Sequence, residues 1–171
     1  MEITGDGKTL KIDDERKALV DARTDFQRAA EAGDAYIWTR ETAAFSALDT
    51  VLCVRNDNSS KSLYIEKVVV ESSHASTEIE IHRITTAYTS AGTAVVGTNL
   101  LPGGAAADAS GVADETGNTQ GTVIERRILR AYTLLVIDFK GTVELGNAQA
   151  IGIDSTLGDD VVYASIWGYF K

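Results

Sequence analysis

Between Ser62 and Ser72 the chain reads SLYIEKVVVES. Leu63, Ile65, Lys67 and Val69 alternate there with Tyr64, Glu66, Val68 and Val70, so both registers of a period-two pattern carry apolar groups over part of the run. A strand that buries both faces needs a layer on each side, which confines the chain to stacked-sheet architectures. Thr50 to Asn56 (TVLCVRN) reads as a second strand, and the turn residues between them, DNSSK, predict that the two form a hairpin. Glu78 to Ile84 alternates Glu and Ile, the pattern of a half-exposed strand.

From Thr85 to Gly121 the texture changes to Ala, Gly, Asp and Thr around the single proline, Pro102, which predicts short strands and long loops. Within it, GTNLLPGG lacks the GK[ST] ending of a phosphate loop and reads as a flexible connection. Strands return at Thr122 to Arg130, Leu134 to Phe139, Ala148 to Ile153 and Val161 to Phe170, separated by KGTVELGN and DSTLGDD. Counting from Ala35 gives about eight strands, enough for two stacked sheets.

Ahead of the strands, Ile3 to Ile12 predicts a hairpin about Asp6-Gly7. Asp14 to Ala32 admits one long helix, with Leu19, Ala22, Phe26 and Ala29 at helical spacing and Gly33 as its stop. Val20, Ala22 and Thr24 also alternate, and the preferred reading is a strand followed by a short helix over Phe26 to Ala32. The domain expectation is an N-terminal arm over 1–33, with hairpin and short helix, and a β-sandwich over 34–171, mostly β, with less than about 15% helix overall.

The 171 residues carry 16 Lys and Arg against 25 Asp and Glu, a net charge of −9, with 44% of residues hydrophobic. The apolar share is enough to bury a core. The acidic balance argues against nucleic acid and anionic membranes as partners, since both require clustered positive charge. One cysteine forms no internal disulfide, MEITGDGKTL has no leader pattern, and no run approaches the ~18 apolar residues of a membrane span, so synthesis in a reducing cytoplasm is expected.

Candidate chemistry is sparse. His74 and His82 are the only histidines, no GxSxG elbow occurs, and Cys53 sits between Leu52 and Val54, where a thiol acts as a small buried hydrophobe. Glu78, Glu80 and His82 share a strand face at i, i+2, i+4, a spacing of about 6.5 to 7 Å that is stretched for one metal ion. Asp108, Asp114, Glu115 and Asn118 offer oxygen ligands without the spacing of a calcium loop. Asp13-Asp14 and Asp159-Asp160 read as turn and edge residues. The expectation is therefore no catalytic, cofactor-binding or metal residue, and no cofactor. Tyr36, Trp38, Trp167, Tyr169 and Phe170 are left as core, as a face buried between subunits, or as sugar contacts.

GDAYIWT at Gly33 to Thr39, ALDTVLCVRNDNSSKSLYIEKVVV at Ala47 to Val70, GTAVVGTNLLPGG at Gly92 to Gly104 and LGNAQAIGIDSTLGDDVVYASIWGYF at Leu145 to Phe170 follow in this order. The order resembles that of small β-sandwich proteins of tailed-bacteriophage virions, of the head-decoration or accessory capsid (cement) type. The resemblance implies a jelly roll, a homotrimer, the major capsid protein as partner and a place on the capsid surface. It carries over no catalytic or binding residue. The alternative is a carbohydrate- or host-receptor-binding module of a phage fibre or tail, and an enzyme of cupin or glycosidase type lacks a ligand set or carboxylate pair.

Overall fold

The computed structural model describes residues 2–5, 8–12, 18–20, 23–42, 50–85, 92–113, 121–155 and 161–171. Strands β1 (Glu2–Gly5), β2 (Lys8–Ile12) and β3 (Ala18–Val20) form a small antiparallel sheet. Gly5 pairs with Lys8, so β1 and β2 make the expected hairpin, although Asp6 and Gly7 lie outside the described residues. The strand-then-helix reading also holds: after β3 comes α1 (Asp25–Ala32), and Ala22 lies outside the described residues. Thr24 caps the helix, its hydroxyl accepting from the Gln27 amide at 3.1 Å while the Gln27 side chain accepts from the Thr24 amide at 2.9 Å. Gly33 ends it with φ of 81°, a conformation that costs glycine least.

Eight long strands build the sandwich: β4 (Ala35–Thr42), β5 (Thr50–Asn56), β6 (Leu63–Ser72), β7 (Glu78–Ile84), β11 (Thr122–Ile128), β12 (Leu135–Leu145), β13 (Ala150–Ser155) and β14 (Val162–Phe170). They pair in nested fashion, as if one long hairpin had been rolled up: β7 with β11, β6 with β12, β5 with β13 and β4 with β14. Three short strands of the 85–121 region, β8 (Thr93–Val95), β9 (Thr98–Asn99) and β10 (Ala109–Ala113), complete two antiparallel sheets. Their orders are β11-β7-β13-β5-β10-β8 and β12-β6-β14-β4-β9. The core between them is aliphatic, with Leu52, Leu63, Ile65, Ile79, Ile81 and Ile153 fully buried around Trp38.

Four expectations need correction. First, β5 and β6 are consecutive but do not form a hairpin, because they lie in different sheets. Leu52 and Val54 meet Leu63 and Ile65 in one core across the sandwich, and the DNSSK connection is shaped to cross between layers. The buried Asn56 amide donates to the carbonyls of Lys61 (3.0 Å) and Leu145 (2.9 Å), and Asn58 Oδ1 accepts from the Ser60 and Lys61 amides. Second, β6 does not bury two faces. Burial follows Leu63 and Ile65, then slips one residue at Glu66-Lys67 and follows Val68 and Val70. The partner β14 shifts register between Trp167 and Gly168 at the same level, so a bulge turns two apolar registers into one buried face.

Third, β12 continues through most of KGTVELGN, which the sequence presented as a separator. Lys140 and Gly141 adopt φ of 50° and 71°, and pairing with β6 resumes at Val143 after a break following Asp138. Fourth, GTNLLPGG is pinned. Asn99 donates to the carbonyls of Gly33 (2.8 Å) and Ala105 (2.9 Å), and its Oδ1 accepts from the Leu101 amide.

The chain crosses from the six-stranded sheet at β8 to the five-stranded sheet at β9, closing one side of the sandwich over Trp38. A Cβ on Gly97 would stand 2.6 Å from Trp38 Nε1 and one on Gly111 would stand 2.9 Å from the indole Cδ1, so both positions must lack a side chain. On the opposite side the sheets end at β11 and β12.

Candidate functional site

The polar residues singled out in β7 lie on its outward face, away from the Ile79 and Ile81 side. Strand β7 has neighbours on both flanks, and Glu80 and His82 are buried, which corrects the half-exposed reading. Register sets Glu80 opposite Asp154 and His82 opposite Gly152. The same Gly152 is opposite Cys53 of β5. His82 Nε2 lies 3.1 Å from Glu80 Oε2 and 3.3 Å from Asp154 Oδ2, while Nδ1 lies 3.4 Å from the Gly121 carbonyl oxygen. Arg126 of β11 reaches Glu80 and, at 3.1 Å, Glu78.

Charge of both signs therefore runs across three strands, which is how buried ionisable groups are tolerated. Both ring nitrogens of His82 are turned toward oxygen atoms of Glu80, Asp154 and Gly121. Cys53 is fully buried among Ile84, Val112 and Ala150, as its apolar neighbours predicted. Glu78 turns to Arg126, and among the described residues no group of three His, Cys, Asp or Glu is placed to hold a metal ion.

Other candidates disperse. His74 is exposed in the turn after β6, where its backbone amide donates to Ser72 Oγ at 3.1 Å. Asp108 is exposed, and its carbonyl accepts from the Asp57 amide. Asp13, Asp14, Asp114, Glu115, Asn118, Asp159 and Asp160 lie outside the described residues. The aromatic residues are drawn inward. Trp38, Tyr36, Tyr169 and Phe170 are buried, and Phe26 of α1 packs on Tyr169 (6.0 Å between ring centres) and Trp167 (6.3 Å). Lys67 Nζ stands 3.9 Å over the Trp167 ring. Burial is the first cause that pushes the Tyr36 and Tyr169 hydroxyls above the ordinary tyrosine range.

Two features were not singled out in the sequence. A cleft of about 690 Å³ lies between α1 and the end of β14, lined by Arg23, Asp25, Arg28, Lys61 and Lys171 among others. Its charges are tied in pairs: Lys171 to Asp25 at 2.9 Å, Lys61 to Asp34 at 2.9 Å, Arg28 to Asp25 at 3.4 Å, and Arg23 to Glu31. The bond to Lys171 is the first cause that holds the Asp25 carboxyl below the usual carboxylate range.

The second feature is the side of the sandwich where the sheets end. Ile128, Tyr132, Leu134 and Val136 are exposed there by 70, 75, 60 and 51%. Tyr132 is held in place by its backbone amide, which donates to the Ser72 carbonyl at 2.8 Å. Inward across the five-stranded sheet, Tyr163 (45% exposed) pairs with Glu71 on one side and Glu41 on the other. Glu41 is the first cause of a raised Tyr163 hydroxyl pKa, and Tyr132 contributes. Val96, between β8 and β9, is exposed by 80% at the opposite side, but four large apolar side chains within nine residues make the β11–β12 side the larger apolar exposure, and such exposure is characteristic of a contact surface.

Compared with protein-family models, with curated proteins and with solved structures, the chain matches none.

Proposed function

We propose that the chain is a non-enzymatic virion structural protein: a capsid decoration or cement protein that binds the major capsid protein on the outer surface of a phage head and stabilises the shell. The observation that carries this reading is the apolar exposure at Ile128, Tyr132, Leu134 and Val136, where the two sheets end, a surface suited to assembly. The nested strand order supports it, since pairing of this kind is what a jelly roll, the fold the resemblance implies, requires of a two-sheet sandwich. Fold alone does not carry function, and the same roll serves other roles. The burial of both His82 and Cys53 weighs for a structural role over a hydrolytic one.

The homotrimer and the virion address remain part of the same proposal. Neither nucleic acid nor membrane enters it, and among the described residues no helix is long and apolar enough to cross a membrane. A sugar-binding module is the weaker reading, because the five aromatic residues offered for it are taken up by the core or lie under Phe26 and Lys67.

Purified protein mixed with phage heads that lack it should co-sediment with them at saturating stoichiometry and raise their disruption temperature. The strands of residues 1–12 belong to a separate three-stranded sheet and not to the sandwich, which suits them to act as an arm that grips the shell, and removing them should impair that binding while leaving the sandwich folded. Protein that stays in the supernatant, or that binds immobilised glycans and not heads, would overturn the reading.

A further inference from the structure

The open side of the sandwich has polarity as well as apolar area. Strand β11 and the connection to β12 hold Arg126, Arg127 and Arg130 in a chain of net charge −9. Arg126 is committed to Glu78 and Glu80, and Arg127 lies 3.2 Å from Glu125. Among the described residues Arg130 has no ion pair, and neither do Glu71 and Glu41. Glu71 stands one strand inward from β12 and Glu41 two strands beyond that, at about 5 Å per strand. The side thus runs from a basic end at Arg130, over Tyr132 and Leu134, to an acidic end at Glu71 and Glu41.

We infer that this side joins copies of the chain to one another, with Arg130 of one copy set against Glu71 and Glu41 of the next and Tyr132 and Leu134 buried between them. The inference rests on the assembly reading above and names the surface and the occupant. A second copy fits because the two ends are complementary to each other, and closed symmetry presents the same pair of ends in every subunit. Elsewhere the net charge makes copies repel, so association is favoured where an unpaired cation meets carboxylates. The contact is made by side chains and not by extending a sheet, because β11 carries a bulge between Val123 and Glu125 that spoils its edge for strand addition. Trp167, half-covered by Phe26 and Lys67, is not the centre of this contact.

The test is sedimentation equilibrium on the full chain at low and high salt, with circular dichroism on each variant to confirm folding. Wild type should be oligomeric at about 30 μM, more weakly so as salt rises. Leu134→Asp should give a monomer, and Arg130→Glu, an exposed change that spares the core, should weaken association by about tenfold or more. Arg130→Glu combined with Glu71→Arg should recover most of that loss. A monomeric wild type, an association indifferent to Leu134→Asp, or a double variant no better than Arg130→Glu overturns the inference. Head binding is read separately: an oligomer that ignores heads sinks the decoration reading and leaves this contact standing, and a monomer that binds heads does the reverse.

Discussion

His82 ties β7 to β13 and to the start of β11 from within the six-stranded sheet. Its ring lies between Glu80 and Asp154 on one side and the Gly121 carbonyl on the other, all with little solvent. Removing it takes a hydrogen-bond partner from Glu80 and a close neighbour from Asp154, both of them buried. His82→Ala should therefore cost about 1–3 kcal/mol, the range for a buried polar group that loses its hydrogen-bond partner. The measurement is the denaturant midpoint, and a shift worth less than about 1 kcal/mol would mean that the cluster is solvated in solution. Half of this cluster was legible in the sequence, because Glu80 and His82 alternate with isoleucines. Asp154 was not, since only strand pairing brings it there. The one signal was Gly152 and Asp154 at i, i+2 in the apolar AIGIDS segment, and it gains meaning only once β13 is known to lie beside β7.

At the scale of elements, bulges decide which side chains face the core. The slip at Glu66-Lys67 keeps Leu63, Ile65, Val68 and Val70 on one buried face, and it leaves Glu66 partly buried beside Asp138. Burial first, and Asp138 second, raise the Glu66 pKa above the ordinary glutamate value. The sign follows from proton counting. Below that value both states hold the proton. As pH rises, the unfolded chain releases it before the folded one, so the folded state loses stability through that window and does not regain it above. Glu66→Gln should thus raise the melting temperature at pH 7 and leave it unchanged near pH 3.5, where the native carboxyl is already neutral. Equal melting temperatures at both pH values would show that Glu66 is solvated. The β12 extension has the same origin: a pair of left-handed residues at Lys140 and Gly141 carries the strand past a stretch that looks like a turn.

For the whole molecule the two sides of the sandwich matter most. One is sealed where β8 passes to β9 over Trp38, and the other is left open at β11 and β12. The sealed side depends on Gly97, because a methyl group there meets the indole of a fully buried tryptophan. Gly97→Ala should destabilise the fold by about 1–3 kcal/mol, the usual range for overpacking. It should also shift tryptophan fluorescence, whereas Gly103→Ala, with nothing within 4 Å of the added carbon, serves as the comparison for backbone strain alone. If the two variants melt alike, the closure over Trp38 is looser than the structure has it.

The sequence by itself determined that the chain is mostly β, with a helix that stops at Gly33 and a buried cysteine, while leaving a long and a short form of that helix open. It also placed most strands, because period-two alternation, helix capping and local turn chemistry are properties of neighbouring residues. Only the tertiary structure decided that β5 and β6 part into different sheets, that β7 buries its polar face, and that Ile128, Tyr132, Leu134 and Val136 stay out of the core. An edge strand and a central strand can share the same alternation. What separates them is which strands, distant in sequence, come to lie alongside, and that choice is made by the packing of two sheets against one core.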